Sequence, residues 1–363
     1  MSFSGSYRAG EVSFLLTQLK AQEFTSVLEK ERLIQSGRRH YSQMLSPEAP
    51  PSKRYMTVFE DACRANNGRM AADCLRLARL IAARRPGPVT VVSLARAGTP
   101  VGVVVARLLR EVFARAATHY SVSIVRDRGI DWAALRHILA NGHAPESLVF
   151  VDGWTGKGVI ARELALSVSA FNASRGTHID QGLYVLSDLA GVAACAASND
   201  DYLIPSSILN ATVSGLVSRT VLDERIGPED FHGCVYYGEF APHDQSQRFA
   251  DEVTALALAL AQAHDAPAAG PPDAHAAAQR SRAWLAGAMA RYGVQDVNLV
   301  KPGIGEATRV LLRRVPRLLV LRAAGAPEVV HLEVLAEEKG VPVEIDPDLP
   351  YHAVSLIRSA SDG

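Results

Sequence analysis

LVFVDGWTGKGVIARELALS, Leu148 to Ser167, is the stretch from which the fold can be predicted. Its first four residues, Leu148 to Val151, are all apolar, which is typical of a parallel strand covered on both faces. Apolar residues then recur at helical spacing from Ile160 to Val168, and glycines occupy the turn between the two patterns. This order predicts a strand, a glycine-containing loop and a helix N-terminus, whose converging backbone N–H groups suit an anion such as phosphate.

The composition is that of an ordinary soluble globular protein. The chain has 363 residues, 48% of them hydrophobic and 21% charged, and its formal net charge is zero. This length predicts two domains, and the neutral charge means that any nucleic-acid contact needs a local basic patch. The four cysteines are far apart, which argues against a disulfide framework or a zinc site. We see neither a signal peptide nor a membrane helix, and expect a cytoplasmic protein without a membrane partner.

The pattern divides the chain into four parts. Residues 1–87 are predicted as a helical N-terminal hood, with VSFLLTQL, FTSVLEKERLI and DCLRLARLIAARR as its helical stretches. Residues 88–261 alternate strands and helices, which predicts a parallel sheet with crossover helices. Residues 262–280 are rich in Ala, Pro and Gly and are predicted as a linker. Residues 281–358 are predicted as a small α/β/α sandwich that ends in a short helix.

Three loops at the predicted strand ends have features that suit anions, and ligands of open parallel sheets bind at that edge. The loops contain Arg96 to Gly98, Arg126 with Arg128, and Asp152 with Thr155 to Gly158. Paired guanidiniums suit a polyphosphate, and the carboxylate of Asp152 could accept from two neighbouring ribose hydroxyls. Together the loops predict a ligand with phosphates at two places and hydroxyls between them.

Each of these loops also has a simpler interpretation. The turn after Asp152 could be an ordinary strand-to-helix connection that needs glycines, and Arg126 and Arg128 could belong to a solvated, ion-paired loop. A Walker-type P-loop is excluded by the spacing, since Gly153 is too close to Lys157 and a glycine follows the lysine.

VFVDGWTGKGVI resembles the phosphoribosyl-diphosphate motif of type I phosphoribosyltransferases, and SLARAGTP resembles that family's pyrophosphate loop. More narrowly, the run from SGSYRAGEVSFLL to the linker is similar to phosphoribosyltransferase-like proteins of bacterial tellurium-resistance and stress operons, which often carry a C-terminal Pelota-type RNA-binding domain. The resemblance implies an α/β fold with a parallel-sheet phosphoribosyltransferase-type core, a helical N-terminal hood and a small C-terminal α/β/α Pelota-like domain.

The same resemblance implies an activity. The chain would be a phosphoribosyltransferase that displaces diphosphate at the ribose anomeric carbon, with phosphoribosyl diphosphate, Mg²⁺ and an unknown acceptor. The pathway would make a nucleoside-like metabolite during stress. Acceptor, transfer direction and oligomeric state stay open at this point.

The resemblance also assigns roles to residues. Arg126 and Arg128 lie where the family has a mobile catalytic loop, and Asp152 would hold the ribose hydroxyls and could contact the metal. The phosphates would be held by Arg96, Ala97, Gly98, Thr155, Gly156, Lys157 and Gly158. Gly153 replaces the family's second acidic residue. This departure keeps a second interpretation open, a non-catalytic regulator that binds nucleotide or RNA.

Two further sets of candidates come from the polar segments downstream. Asp188, Asp201, Asn210 and Arg219 are candidates for an acceptor pocket. Cys234 lies two residues after His232, and related proteins have been labelled cysteine proteases. On a strand such a pair shares one face, so the imidazole could act as the base of a thiol nucleophile. The alternative is an incidental pair, since cysteine is commonly buried.

The tail resembles the Pelota and ribosomal-L7Ae class of RNA-binding domains, in which a Gly-x-Asn-Glu-x-Thr-Lys turn opens a helix and contacts kinked RNA. The matching residues are Gly303, Glu306, Thr308 and Arg309, with Gly305 in place of the Asn. Backbone N–H groups of such a turn could donate to phosphate, and Glu306 could accept from a base edge. Structured RNA is therefore an expected partner; a tail that contacts protein is the alternative.

Overall fold

A computed structural model of the protein describes residues 3–19, 25–26, 29, 32–33, 38–263, 273–313 and 315–357. The strands are β1 (Ser13–Leu15), β2 (Thr17–Gln18), β3 (Val89–Ala95), β4 (Ala117–Val125), β5 (Gly129–Ile130), β6 (Leu148–Thr155), β7 (Leu183–Asp188), β8 (Cys195–Ser198), β9 (Gly233–Cys234), β10 (Val300–Pro302), β11 (Leu318–Leu321), β12 (Val343–Ile345) and β13 (Ala353–Leu356). The α-helices are α1 (Lys53–Arg84), α2 (Thr99–Glu111), α3 (Trp132–Ala140), α4 (Val159–Arg175), α5 (Ser246–Gln262), α6 (Ala274–Arg291), α7 (Ile304–Arg313) and α8 (Val330–Glu338). Short 3-10 helices cover Tyr41–Gln43, Pro145–Ser147, Pro205–Ser207, Ala211–Val213, Gly238–His243 and Val297–Leu299.

The centre of the core domain is a mostly parallel sheet in the order β1-β4-β3-β6-β7-β8, with β5 added antiparallel to β4. Successive residues of β6 face opposite sides of this sheet: Val149 and Val151 pack with α1, α2 and α5, whereas Leu148 and Phe150 pack with α3 and α4. Both faces are therefore covered, which is why the first four residues of the strand, Leu148 to Val151, are all apolar. The predicted α/β architecture with a parallel sheet is confirmed.

The N-terminal segment corrects part of the predicted helical hood. VSFLLTQL forms β1 and β2 rather than a helix, and β1 pairs in parallel with β4, Ser13 opposite Tyr120. This segment is a strand because it pairs with β4, about a hundred residues away. A local sequence pattern does not indicate such a distant partner. The predicted helix around residues 73–85 is part of the longer α1, while most of FTSVLEKERLI lies outside the described residues.

The C-terminal domain is a small four-stranded sheet, β10-β13-β11-β12, with helices α6, α7 and α8. The final element was predicted as a helix and is the strand β13, which is buried because it pairs with both β10 and β11. Helix α6 begins at Ala274, inside the predicted linker 262–280, where Asp273 caps it by accepting from the Ala276 N–H. Residues 264–272 of that linker lie outside the described residues.

Helix α2 approaches the sheet at Gly102. A Cβ atom there would lie 2.3 Å from Nε2 of His119 and 2.8 Å from Cβ of Ser93. The imidazole cannot move aside easily, because its two nitrogens lie 2.7 Å from Ser93 Oγ and 3.2 Å from Glu11 O. Burial lowers the pKa of His119 to about 3, so the ring is neutral and acts as a packing element of the core.

We expect Gly102→Ala to destabilise the protein by about 1–3 kcal/mol, because the clash with His119 exceeds the roughly 1 kcal/mol that alanine gains over glycine in a helix. Gly68→Ala in α1 is the matched control, since no atom lies within 4 Å of the added Cβ. We expect this variant to gain about 0.5–1 kcal/mol. Urea unfolding measures both; stabilisation of both variants would contradict the close approach at Gly102.

Candidate functional site

The turn after β6 borders a cavity of about 210 Å³ between the core and the C-terminal domain. Its lining comes from the core at Ala97, Arg126, Asp152, Trp154, Thr155 to Ile160 and Leu183, and from the C-terminal domain at Lys301, Pro302, Glu306 and Arg309. We call this cavity the interdomain cleft. It joins the turn predicted to hold phosphate with the turn predicted to contact RNA, which the sequence had suggested as two separate sites.

The glycine turn itself is tightly organised. Gly158 has φ of +74° and precedes α4 directly, and its N–H donates to the Thr155 hydroxyl at 3.1 Å. One backbone donor predicted for an anion is therefore already used within the turn. At Gly156 a Cβ atom would lie 3.2 Å from the carbonyl oxygen of Pro302, so a side chain there would press against the C-terminal domain.

Lys157 connects the two domains. Its Nζ donates to the carbonyl oxygens of Val297 at 2.7 Å and Val300 at 2.8 Å. Burial, followed by the nearby positive charge of Lys301, lowers the pKa of Lys157 to about 7. The side chain predicted to bind phosphate thus holds the C-terminal domain and borders the cleft at the same time.

Asp152 lies opposite the helix α7 of the C-terminal domain. Its Oδ1 accepts from the Gly153 N–H at 2.8 Å, and burial raises the pKa of the carboxyl group to about 7, against the opposing effects of that hydrogen bond and of Arg309. The Arg309 guanidinium lies 5.8 Å from the centroid of the Trp154 ring and 3.3 Å from Glu306 Oε1. The cleft therefore combines two carboxyl groups, several cations and an aromatic ring.

Asp201 was predicted to line the pocket for the acceptor substrate, but in the structure it fixes the C-terminal domain on the core. Its two carboxylate oxygens accept from the backbone N–H groups of Ile304 at 2.8 Å and His352 at 2.7 Å. Thr308 is buried, donates to Ile304 O and lies 2.8 Å from His331 Nε2. The Gly303 to Arg309 turn therefore faces the core, and Glu306 and Arg309 are its side chains that border the cleft.

The three arginines predicted at the strand ends do not all line the cleft. Arg126 borders the cleft, and its backbone N–H donates to the Tyr41 hydroxyl at 2.7 Å. Arg128 is exposed and does not line the cleft. Arg96 pairs with Glu48 at 2.6 Å and donates to Val217 O at 2.9 Å, so its guanidinium is engaged outside the cleft lining.

The four candidates for an acceptor pocket have different hydrogen-bond partners. Asp188 accepts from the N–H groups of Ala190 and Ala193 in its own loop, and Asp201 fixes the C-terminal domain. Arg219 donates to the carbonyl oxygens of Tyr41 and Met44, while Asn210 directly precedes the 3-10 helix at Ala211. Sequence reasoning missed Lys301, although it lies only two residues before the predicted turn at Gly303, and it missed Glu48, which no sequence pattern marks.

Cys234 is buried in β9, and burial raises the pKa of its thiol to about 12. The imidazole of His232 is engaged elsewhere: Nδ1 lies 2.8 Å from Ser123 Oγ, and the backbone N–H donates to Asp131 Oδ2 at 2.7 Å. Within the described part of the chain, the other cysteines are buried as well, and three or more His, Cys, Asp or Glu side chains nowhere form a cluster suited to a metal.

None of the described helices combines the length and the apolar character needed to cross a membrane.

Comparison with known proteins gives two family matches. Residues 5–254 match the model of a family described as tellurite-like stress resistance cysteine protease StiP, and residues 279–359 match the Pelota RNA-binding domain. A protein of Acinetobacter baylyi named cysteine protease StiP is 40% identical over 373 aligned positions, which cover 99% of this chain and 96% of the relative.

These matches confirm the stress-resistance family and the Pelota-like domain, but the prediction of a phosphoribosyltransferase is wrong. Both the family over residues 5–254 and the relative that spans nearly the whole chain are named cysteine proteases. The motif at Asp152 is short, and strand–glycine–helix turns occur in many α/β proteins without one shared activity. The predicted phosphoribosyl-diphosphate substrate has no support in these matches.

The pH dependence of stability tests the buried charges of the cleft. Because the folded protein binds the proton of Asp152 more tightly than the unfolded chain does, this group lowers stability as the pH rises from about 4 to about 7. Lys157 acts in the opposite sense, since its lowered pKa makes stability rise from about pH 7 towards about pH 10.

We therefore expect Asp152→Asn to stabilise the protein at pH 8 by on the order of 1–3 kcal/mol, and to lose most of this gain near pH 4.5. The control is Asp61→Asn, which changes an exposed carboxylate paired with Arg64 and should stay within about 0.5 kcal/mol of wild type at both pH values. Chemical denaturation at the two pH values gives the comparison. A pH-independent effect of Asp152→Asn would contradict the burial of its charge.

Proposed function

The chain belongs to the StiP family, and we propose that it binds RNA in the interdomain cleft as part of a stress-resistance function. The observation that carries the proposal is that the Asp152 to Gly158 turn and the Gly303 to Arg309 turn border one cavity. The match of residues 279–359 to the Pelota RNA-binding domain indicates the class of ligand. The core then supplies most of the residues that line the binding surface.

The chemistry of the lining suits a nucleotide unit of RNA. Arg126, Lys301 and Arg309 supply positive charge for a phosphate, and the Trp154 ring lies under the Arg309 guanidinium, where a base could also stack. Asp152 and Glu306 are acceptors for a 2′-hydroxyl or for the amino group of a base edge. The mixture of charges favours a specific, partly hydrogen-bonded ligand over simple attraction of any polyanion.

We propose that Mg²⁺ enters the cleft together with the RNA phosphate. The carboxyl groups of Asp152 and Glu306 fit this role, because Mg²⁺ commonly takes one or two protein carboxylates and completes its shell with phosphate oxygens and water. A site made by the protein alone would need more ligands than these two. The ion would reduce the cost of keeping a negative charge on Asp152, whose burial favours the neutral form.

We expect Arg309→Gln to weaken binding of a labelled RNA hairpin about tenfold and to lower the slope of log affinity against log salt by about 1, because one phosphate contact is lost. Fluorescence anisotropy at several salt concentrations measures both quantities. Arg175→Gln is the control, as this exposed arginine at the end of α4 does not line the cleft. Equal losses in the two variants, or no binding by the wild type, would sink the proposal.

A second candidate function is peptide hydrolysis, which the name of the 40% identical relative favours. Cys234 is the thiol we assign to it, because His232 lies two residues away and residues two apart on an extended chain share one face. Since Nδ1 of His232 contacts Ser123, Nε2 is the ring atom that would have to act as the base. A cysteine nucleophile reacts as the thiolate and needs a base within reach. In the described conformation the thiol is buried, so this function requires β9 to move away from its covering residues.

The rate at which Cys234 reacts with an alkylating reagent distinguishes the two proposed functions. With a pKa near 12, Cys234 should react with iodoacetamide at pH 7.5 at least about a hundredfold more slowly than a free cysteine, because so little thiolate is present. Mass spectrometry of the labelled peptides gives the rate. Fast labelling of Cys234, together with peptidase activity that Cys234→Ser abolishes and Cys195→Ser retains, would establish the hydrolytic function.

A further inference from the structure

Outside the interdomain cleft, a second group of charged side chains lies around Glu48. Its Oε1 accepts from Arg96 Nη1 at 2.6 Å, and its Oε2 accepts from the Ala211 N–H at 3.3 Å. Only 13% of the Glu48 side chain and 14% of the Arg96 side chain are exposed. A buried carboxylate held by a guanidinium and a backbone amide occupies the type of site that also holds free anions.

This group has more donors and more positive charge than Glu48 uses. Arg219 is the next guanidinium, and burial, followed by the charge of Arg96, lowers its pKa to about 10. Its Nη1 is buried without a partner among the described residues. The same holds for the hydroxyl of Tyr237, which is 2% exposed and whose pKa is raised by burial and by the neighbouring charge of Glu48. Arg96 thus pairs with Glu48 directly, Arg219 follows two residues after Val217, whose carbonyl also accepts from Arg96, and two buried donors have no partner among the described residues.

Most of the segment around Glu48 is exposed, so it could move away from the protein. Residues 44–52 connect the 3-10 helix at Tyr41–Gln43 to α1 and contain Pro47, Pro50 and Pro51. Met44 and Leu45 anchor its beginning because they are buried, whereas Pro47, Ala49 and Pro50 around Glu48 are exposed. Glu48 is therefore the buried side chain of an otherwise exposed stretch. If Glu48 moved out of its site, Met44 and Leu45 could stay buried.

We propose that Arg96, Arg219, Tyr237 and the Ala211 N–H form a second anion site, which takes a phosphate-monoester dianion and which Glu48 closes in this structure. A phosphate has more acceptor oxygens than a carboxylate and carries the second negative charge, so it can engage Arg219 Nη1 and the Tyr237 hydroxyl as well as the partners of Glu48. The segment 46–51 then acts as an internal plug, and a dianion must displace it.

The site is separate from the interdomain cleft but adjacent to it. Arg96 holds Glu48, while the next residue, Ala97, lines the cleft. A ligand in the cleft and a dianion at Arg96 would thus contact the same loop after β3. The inference does not depend on RNA being the ligand of the cleft, since its evidence lies in the residues around Glu48 alone.

The experiment uses inorganic phosphate as the probe and the full chain with Arg309→Gln in every protein, so that phosphate bound in the cleft contributes little. We expect Glu48→Gln to lower the melting temperature in chloride buffer, because two buried cations lose their counter-charge. Phosphate should restore this loss and bind on the order of tenfold more tightly than to the protein with Glu48, as seen by calorimetry and thermal shift.

Two matched variants decide whether the gain belongs to this site. Glu60→Gln removes a carboxylate from the surface pair with Arg248, at 2.7 Å, and should not change phosphate affinity. Tyr237→Phe, added to Glu48→Gln, removes one hydroxyl and should weaken phosphate binding again. An unchanged phosphate affinity in Glu48→Gln, an equal gain in Glu60→Gln, or a gain that survives Tyr237→Phe would overturn the proposal. None of these outcomes depends on the binding of RNA.

Discussion

The carboxylate of Asp201 is the interaction on which the arrangement of this protein depends. By accepting from Ile304 and His352, it satisfies the first N–H group of α7 and one end of β13, and so fixes the C-terminal domain on the core. The apolar face of α7 supports this contact, because Ile304 and Ala307 belong to the same hydrophobic cluster as Ile204 and Ile208 of the core. An anion at a helix N-terminus is favoured by the helix dipole, so a side chain of the core occupies a position that a ligand phosphate could otherwise take.

The docking of the two domains determines the electrostatics of the cleft. In the cleft, burial moves the pKa of Asp152 and that of Lys157 towards neutrality from opposite sides. A ligand that brings a phosphate and a metal ion changes both preferences at once, since it supplies counter-charges where water has been excluded. The same burial makes the cleft costly to maintain without a ligand, and costly charged sites of this kind are more typical of function than of stability.

Local sequence predicted the parts of the fold that depend on local interactions. The order of β6, its glycine turn and α4 follows from an apolar run, from Gly158 at positive φ and from helical spacing, and each of these can be seen within twenty residues. The predictions that were wrong concern elements and side chains whose partners lie far away in the sequence. β1 is a strand because β4 pairs with it, and Lys157 turns towards Val297, 140 positions away. The ion pair of Arg96 with Glu48 is equally invisible, because nothing in the sequence indicates which of many carboxylates fills a given site. The prediction of a phosphoribosyltransferase was wrong for a related reason. A short turn that suits phosphate does not specify which reaction a protein catalyses.

The three sites differ in how much structure must move before each can act. In the proposed RNA site, the lining side chains already border a cavity, so a ligand there need not break the backbone pairing of a sheet. The anion site at Arg96 requires only the exposed segment around Glu48 to lift. The thiol of Cys234 is different, because β9 pairs with β2 and Cys234 O accepts from the Leu19 N–H at 2.8 Å. Exposing it breaks backbone pairing in the core, a cost that neither phosphate site carries, and burial must also be relieved before a thiolate forms. If Cys234 is the nucleophile, hydrolysis by this chain therefore needs a conformational trigger, and the two proposed anion sites beside the loop after β3 are where a ligand could provide one.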